Sequence, residues 1–182
     1  MSGVWVREAQ AEDAAAIAAI QIDAWQVAYA HLLPAGYLQG LSQHTEARMA
    51  YWREQLGADR LIWVAQWGPD VVGWAAAGPS QDPDAHILVG AVEAIYLSPL
   101  HWRLGIGTPL LRTALAKLLR QGFTEATLWV VQGNVRAQAF CQALGFVPQP
   151  AAAKPMARGG ATLTEQRYWR SLKPITSPRP AP

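Results

Sequence analysis

The chain has 182 residues, 51% of them hydrophobic and 15% charged, and this length and composition predict one domain with a proper core. A net charge of +2 with dispersed basic residues argues against a nucleic-acid-binding protein, and no apolar run approaches membrane length. One cysteine excludes an internal disulfide, which fits a cytoplasmic protein, and nine tryptophans favour an aromatic core, apolar clefts or a homodimer interface.

The N-terminal third is predicted to form a strand followed by two helices. Residues 4–8 alternate between apolar and polar side chains, as a half-buried strand does. Glu12 and Asp13 favour the N-terminus of the first helix. The apolar stripe of that helix comprises Ile17, Ile20, Ala24 and Val27. The second helix is predicted over 35–56, with an interruption near Gly40.

The rest of the chain is predicted to combine strands with two more helices. Strands are predicted at residues 61–65, 71–76, 92–97, 126–131 and 163–172, and a further one begins at 146–147. One helix follows Pro109, with apolar positions Leu110, Leu111, Ala114, Leu115 and Leu118. The other spans 134–144, and the Ala-, Pro- and Gly-rich segment 148–160 is predicted to be a loop. The order β-α-α-β-β-β-α-β-α-β-β indicates an α/β fold: a mixed sheet with helices on both faces.

The composition changes at the C-terminus. Residues 1–172 are predicted to form the single domain. Residues 173–182 contain four prolines, and we expect them to form a disordered tail.

A glycine-containing turn between strand 92–97 and the next helix predicts an anion site. Gly105 and Gly107 bracket Ile106, and because glycine has no Cβ, the backbone can approach a ligand closely. The turn leads into a helix N-terminus, where unpaired N–H groups and the helix dipole favour an anion. Leu110 occupies the place of the third glycine of a dinucleotide fingerprint, and the Gly-Lys-Ser/Thr of a P-loop is absent. The ligand is therefore expected to be another phosphate compound.

Two segments resemble motifs of the GNAT superfamily of N-acetyltransferases. Residues 102–107, Trp-Arg-Leu-Gly-Ile-Gly, are similar to the family's Gln/Arg-x-x-Gly-x-Gly/Ala pyrophosphate loop. Trp102 stands where the family usually has Gln or Arg. Residues 134–146 follow the family's Asn-x-x-Ala-x-x-Phe-Tyr-x-x-x-Gly-Phe segment.

The N-terminal segment extends the resemblance to residues 4–172. Trp25 and Tyr29, followed by Leu33-Pro34, resemble a bacterial subgroup with a Trp-x-x-x-Tyr…Leu-Pro pattern. The resemblance implies the GNAT fold, an α/β fold with a mixed, mostly antiparallel sheet of about six to seven strands and helices on both faces.

The resemblance also implies acetyl-CoA as the co-substrate. The expected cofactor site comprises Ile95, Tyr96, Leu97, Arg103, Leu104, Gly105, Ile106, Gly107, Thr108, Asn134 and Phe140. Asn134 also suits a helix N-cap, and Arg103 also suits a solvated surface position. Trp25, Tyr29 and Trp74 are candidates for lining the acceptor pocket, although aromatic side chains more often belong to the core. The four histidines have no metal-ligand spacing, so no metal is expected.

Glu93 is the candidate general base, acting on the amine directly or through a water. Strand alternation places it on one face with Ile95 and Leu97, which predicts a buried carboxylate with a raised pKa. The alternative is a solvated carboxylate, or one paired with a structural arginine.

A proton donor for the leaving thiolate is harder to assign. Cys141 occupies the place where the family commonly has a tyrosine with this role, but it is also typical of a core cysteine. Tyr168 or Tyr96 could act instead, or a water.

The function predicted from the resemblance is transfer of an acetyl group from acetyl-CoA to a primary amine, by direct attack in a ternary complex. An aminoglycoside, a polyamine, an amino acid and a protein N-terminus all remain open as acceptors. The alternatives are a non-catalytic acyl-CoA sensor or interaction module of the same fold, and a transferase for a longer acyl chain.

Overall fold

The computed structural model describes residues 3–58 and 60–173. The strands are β1 Val4–Glu8, β2 Leu61–Trp67, β3 Asp70–Pro79, β4 Val89–Leu97, β5 Glu125–Val131, β6 Val147–Arg158 and β7 Ala161–Ser171. The helices are α1 Ala14–Ala28, α2 Ala35–Gly40, α3 Thr45–Gly57, α4 Gly107–Arg120 and α5 Val135–Ala143. Short 3₁₀ turns occupy Ala11–Asp13, Leu41–His44 and Pro99–His101. The predicted tail lies outside the described residues from position 174 onward.

The seven strands form one sheet in the order β1-β2-β3-β4-β5-β7-β6. Every neighbouring pair is antiparallel except β4 and β5. In these two parallel strands only three residues of each are paired, Val89–Ala91 of β4 with Glu125–Thr127 of β5. Beyond these three pairs the strands diverge. The predicted mixed, mostly antiparallel fold is confirmed, and the divergence leaves a gap in the middle of the sheet.

Helices cover both faces of the sheet, as predicted. On one face α4 buries all five predicted positions, Leu110, Leu111, Ala114, Leu115 and Leu118, against side chains of β2–β5. Burial of each leucine of this stripe stabilises the folded state by about 1.5–3 kcal/mol. This burial holds α4, and with it the turn before it, firmly against the sheet. On the other face α1 and α3 pack against Trp74 and its neighbours. In the described residues, no helix is both long and apolar enough to cross a membrane.

The predicted stripe of α1 is wrong at its last position. Ile17, Ile20 and Ala24 are buried, but the side chain of Val27 is 49% exposed. Ile22 is buried instead, because α1 also packs against Leu33, Leu38 and the end of β5. The helix therefore buries two sides, and a single stripe does not describe it.

The prediction of a loop over 148–160 is also wrong, because most of this segment is β6. The strand lies at the edge of the sheet, where a proline costs no ladder hydrogen bond if its nitrogen faces outward. Its pairing with β7 shifts between Pro148 and Ala153. The Gln166 side chain donates to the carbonyls of Gln149 and, at 2.9 Å, of Ala152, which satisfies backbone groups that the irregularity leaves unpaired.

Candidate active site

A cavity of about 530 Å³ occupies the gap between β4 and β5. Its walls come from both diverging strands, from α1, from the turn before α4, from α5 and from the β6–β7 hairpin. Of the predicted cofactor residues, those that line it are Ile95, Tyr96, Leu97, Arg103, Gly105, Ile106, Gly107, Thr108, Asn134 and Phe140. Leu104 does not line it and is 53% exposed, so its assignment to the cofactor site stays a prediction.

The glycine turn has the backbone shape of a close-approach site. Gly105 has φ 80° and Arg103 has φ 63°, so two residues of the turn are left-handed. A Cβ on Gly107 would lie 3.1 Å from the Phe140 ring and 3.2 Å from Leu97. Glycine at 107 therefore lets the first turn of α4 pack against α5 and the end of β4. Ile106, Gly107 and Thr108 at this helix N-terminus line the cavity, and backbone N–H groups without an intrahelical partner favour an anion there.

Trp102 connects the turn to two other elements. Its Nε1 donates to the Leu97 carbonyl at 2.9 Å, which ties the turn to the end of β4. The guanidinium carbon of Arg136, from α5, lies 3.8 Å from the centre of the Trp102 ring. Both residues line the cavity beside the glycine turn, and Arg136 forms no salt bridge within the described residues. The sequence did not lead us to predict a role for Arg136. The available signal was Trp102, which replaces the family's usual Gln or Arg, because a tryptophan ring attracts a nearby cation.

Asn134 serves as the N-cap of α5, as predicted for one of its two roles. Its Oδ1 accepts a hydrogen bond from the Ala137 N–H at 3.2 Å. Burial raises the pKa of Tyr29 well above its usual range, and the neighbouring Asn134 offsets only part of this effect. Asn134 therefore lies near Tyr29, at the end of α1, as well as capping α5.

Aromatic side chains form the wall on the α1 side. Trp25 and Tyr29 line the cavity, and their rings form an edge-to-face contact with the ring centres 4.9 Å apart. The Trp25 Nε1 donates to the Tyr96 hydroxyl at 3.0 Å, and burial raises the pKa of Tyr96. Trp74 does not line the cavity: it is fully buried between Trp52 and Tyr96, so its assignment to the acceptor pocket is wrong.

Glu93 lies at an irregularity of β4. Ala94 pairs with Ala76 and Val92 pairs with Ala77, so Glu93 is the extra residue of a β-bulge and breaks the predicted alternation. Its side chain is 30% exposed and forms an ion pair with Arg60, which precedes β2. The prediction of a buried carboxylate is therefore wrong. Glu93 nevertheless lines the main cavity, and also a smaller one on the Arg60 side.

The candidate acids fit the core better than the site. Cys141 lines the cavity but is buried, and burial raises the pKa of its thiol to about 12. Tyr168 is buried in the core beside Cys141 of α5 and does not line the cavity. Burial raises the pKa of its phenol, and the neighbouring Cys141 adds to the effect. The structure thus contradicts a direct role for Tyr168, and it makes Cys141 a poor proton donor. Among the described residues, no group of three or more His, Cys, Asp or Glu side chains could hold a metal ion.

The cavity therefore differs in chemistry from one end to the other. At the glycine turn it offers backbone N–H groups, Arg103 and Arg136, which suit phosphates. Between the strands it is mostly apolar, with Glu93 near the junction of β4 and β5, and on the α1 side it offers aromatic rings and Glu165. This arrangement suits a long ligand with an anionic end, facing a second ligand that carries a cation.

Known proteins share this architecture. The family model described as "Acetyltransferase (GNAT) family" matches residues 17–146. The uncharacterized N-acetyltransferase YuaI from Bacillus subtilis strain 168 is 33% identical over 132 residues, covering 72% of this chain and 73% of YuaI. An N-acetyltransferase structure from Staphylococcus aureus Mu50 superposes with a TM-score of 0.72 at 22% identity, covering 94% of this chain and all of that one. The yncA protein of Salmonella typhimurium, solved with its cofactor acetyl-CoA, gives 0.70 at 20% identity, covering 99% and 100%.

Proposed function

Because the chain belongs to the GNAT acetyltransferase family, we propose that it transfers an acetyl group from acetyl-CoA to a primary amine of a small molecule or peptide, by direct attack in a ternary complex. The observation that supports the proposal is the cavity in the sheet, which is lined by the glycine turn and by two carboxylates, Glu93 and Glu165. A phosphorylated thioester would suit the turn, and an amine would suit the carboxylates.

The residues at the turn fit coenzyme A. The N–H groups at the start of α4 would bind its pyrophosphate, and Arg103 and Arg136 would supply positive charge beside it. Ile95, Leu97 and Phe140 give the middle of the cavity an apolar wall for the pantetheine arm, and Asn134 offers a polar contact. When bound, acetyl-CoA supplies the activated acyl group.

Proton removal from the amine is assigned to Glu93, through a water. An exposed carboxylate at a bulge can contact solvent and the cavity together, which suits a relay better than direct contact. Since the Cys141 thiol has a raised pKa, a water is the better source of the proton that the leaving thiolate takes up. Pairing of β4 with β5 ends at Ala91, so backbone groups beyond that point face the gap and are available to the thioester carbonyl.

The second candidate is a protein that binds acyl-CoA as a sensor without turnover. The ion pair between Glu93 and Arg60 favours it, because a carboxylate held by an arginine is less available to the acceptor amine. Its cofactor site would be the same, so binding alone does not separate the two functions.

Two measurements on the full chain test the proposal. Coenzyme A at about 100 times its dissociation constant should stabilise the protein by about 2.7 kcal/mol and raise Tm by about 5 °C or more. Gly107→Glu should remove this shift, and Gly3→Glu, which adds the same charge in open space, should keep it. Release of free thiol from acetyl-CoA with a panel of primary amines then identifies the enzyme. Binding without thiol release across the panel would favour the sensor, and no shift with coenzyme A would refute both.

A further inference from the structure

The cavity has a second polar end, at the β6–β7 hairpin, that none of the sequence motifs covers. Lys154 and Met156 of β6, Glu165 of β7 and Trp129 of β5 line it. Glu165 pairs with Val131 at the end of β5, and Val131 packs in one cluster with Trp25, so this end lies on the α1 side of the sheet. The glycine turn leads into α4 on the opposite face, so a second substrate would lie here.

An ammonium group already occupies this end. The Lys154 Nζ lies 3.9 Å from the centre of the Trp129 ring and 3.8 Å from Oε2 of Glu165. Lys154 and Glu165 are direct partners in the β6–β7 register, so the strands themselves hold the two charges together. An aromatic face combined with a carboxylate is the environment that binds alkylammonium ions.

The ring and the carboxylate are both positioned by their surroundings. The Trp129 Nε1 donates to Oδ1 of Asp82 at 2.9 Å, which fixes the orientation of the ring. Glu165 lines the same cavity as Tyr29 and Tyr96; burial raises the pKa of both phenols, and the negative charge of Glu165 raises both further.

Lys154, by contrast, is easily displaced. Its side chain is 47% exposed and extends from the edge strand, and ion pairs of this exposure contribute little to stability. The other cations lining the cavity, Arg103 and Arg136, lie at the glycine turn. Arg167, the register partner of Trp129 with its guanidinium carbon 5.7 Å from the ring centre, pairs with Asp82 and Asp84. Glu165 is therefore the carboxylate at this end of the cavity that is available to bind an incoming ligand.

We propose that Trp129 and Glu165 bind the reacting amine of the acceptor in its ammonium form, and that Lys154 occupies this site until the acceptor displaces it. The bound ammonium then gives up its proton through a water to Glu93, and the free amine attacks the thioester. The inference rests on the proposed acetyl transfer and narrows its acceptor to primary alkylammonium compounds. Their apolar stem would lie along Trp25, Tyr29 and Met156.

The test uses n-butylamine as the probe and n-butanol as its neutral counterpart. Lys154→Met keeps the aliphatic stem but removes the competing ammonium, so KM for n-butylamine should fall by up to about fivefold. Glu165→Gln should raise it about tenfold or more, because it removes a charged partner. The dissociation constant of coenzyme A should stay the same in both variants. Lys117→Met is the matched control, since Lys117 pairs with Glu8 away from the cavity.

Calorimetric titration of n-butylamine into the coenzyme A complex provides a readout that needs no turnover. The expected order of affinity is Lys154→Met above wild type above Glu165→Gln, with no binding of n-butanol. This order without any acetylated product would support the ammonium site while refuting the acetyl transfer. Equal KM and equal affinity in all three proteins, or equal binding of n-butanol, would overturn the inference.

Discussion

Replacing Glu93 by glutamine separates a chemical role of this carboxylate from a structural one. The change keeps the side-chain volume and removes the charge that pairs with Arg60. Both side chains are about one-third exposed, so losing the pair should cost at most about 1 kcal/mol of stability. If Glu93 accepts the proton, kcat should fall by about 10²–10⁴-fold, which corresponds to about 3–5 kcal/mol in the transition state. The chemical effect is then several times larger than the structural one.

Arg60→Gln is the matched control, because it breaks the same ion pair from the other side. It should cost similar stability, yet it leaves the carboxylate in place and free of its arginine, so kcat should hold or rise. Steady-state kinetics at saturating acetyl-CoA and urea unfolding of both variants measure the two effects. Equal, small losses of kcat in both variants would refute the base role and leave Glu93 as a partner of Arg60. The double variant should add nothing to the stability loss of either single one.

Four further changes probe the site and the fold. Gly107→Ala puts a Cβ within 3.1–3.2 Å of two side chains, so it should cost about 1–3 kcal/mol and weaken coenzyme A binding, as thermal unfolding with and without ligand would show. Arg136→Gln should raise the coenzyme A dissociation constant by about tenfold, with the difference shrinking at high salt in titration calorimetry. Cys141→Ala should cost about 1 kcal/mol and leave turnover per folded molecule unchanged; a large loss of turnover would make the thiol catalytic. Burial would raise the pKa of Asp13, but hydrogen bonds from Arg7 at 2.7 and 2.8 Å bring it below its usual value. The ionised carboxylate therefore stabilises the fold above about pH 4, and this stabilisation is lost as pH falls through the lowered pKa. Urea unfolding should therefore show Asp13→Asn to be less stable than wild type at pH 7, with the difference narrowing at pH 3.

The fold was predictable from local patterns wherever a pattern had one cause. The stripe of α4 faces a single core, and the glycine turn precedes a helix, so both came out as predicted. Segment 148–160 was mispredicted because its three prolines signal a loop in most settings. The segment can form a strand because it lies at the edge of the sheet and because the Gln166 side chain binds its backbone carbonyls. Both conditions depend on residues that are distant in the sequence.

The errors at the candidate site also come from tertiary contacts. Glu93 departs from alternation because β4 carries a bulge opposite β3, which no local pattern indicates. Trp74 and Tyr168 are aromatic residues on strands, and only the packing of the helices decides that they face cores and not the cavity. The sequence predicted no site at Lys154 and Glu165, since the contact between them depends on the register of β6 and β7.

The narrow junction between β4 and β5 has a consequence for how the chain assembles. Strands β1–β4 come from residues 4–97 and strands β5–β7 from residues 125–171, so the gap divides the sheet into two parts in the order of synthesis. While the first part is complete and the second is not, β4 is an exposed edge, the kind of strand on which chains aggregate. The bulge at Glu93 interrupts the regular course of β4, which makes it a poorer template for a foreign strand. The same irregularity that places a carboxylate at the cavity thus protects the half-made sheet.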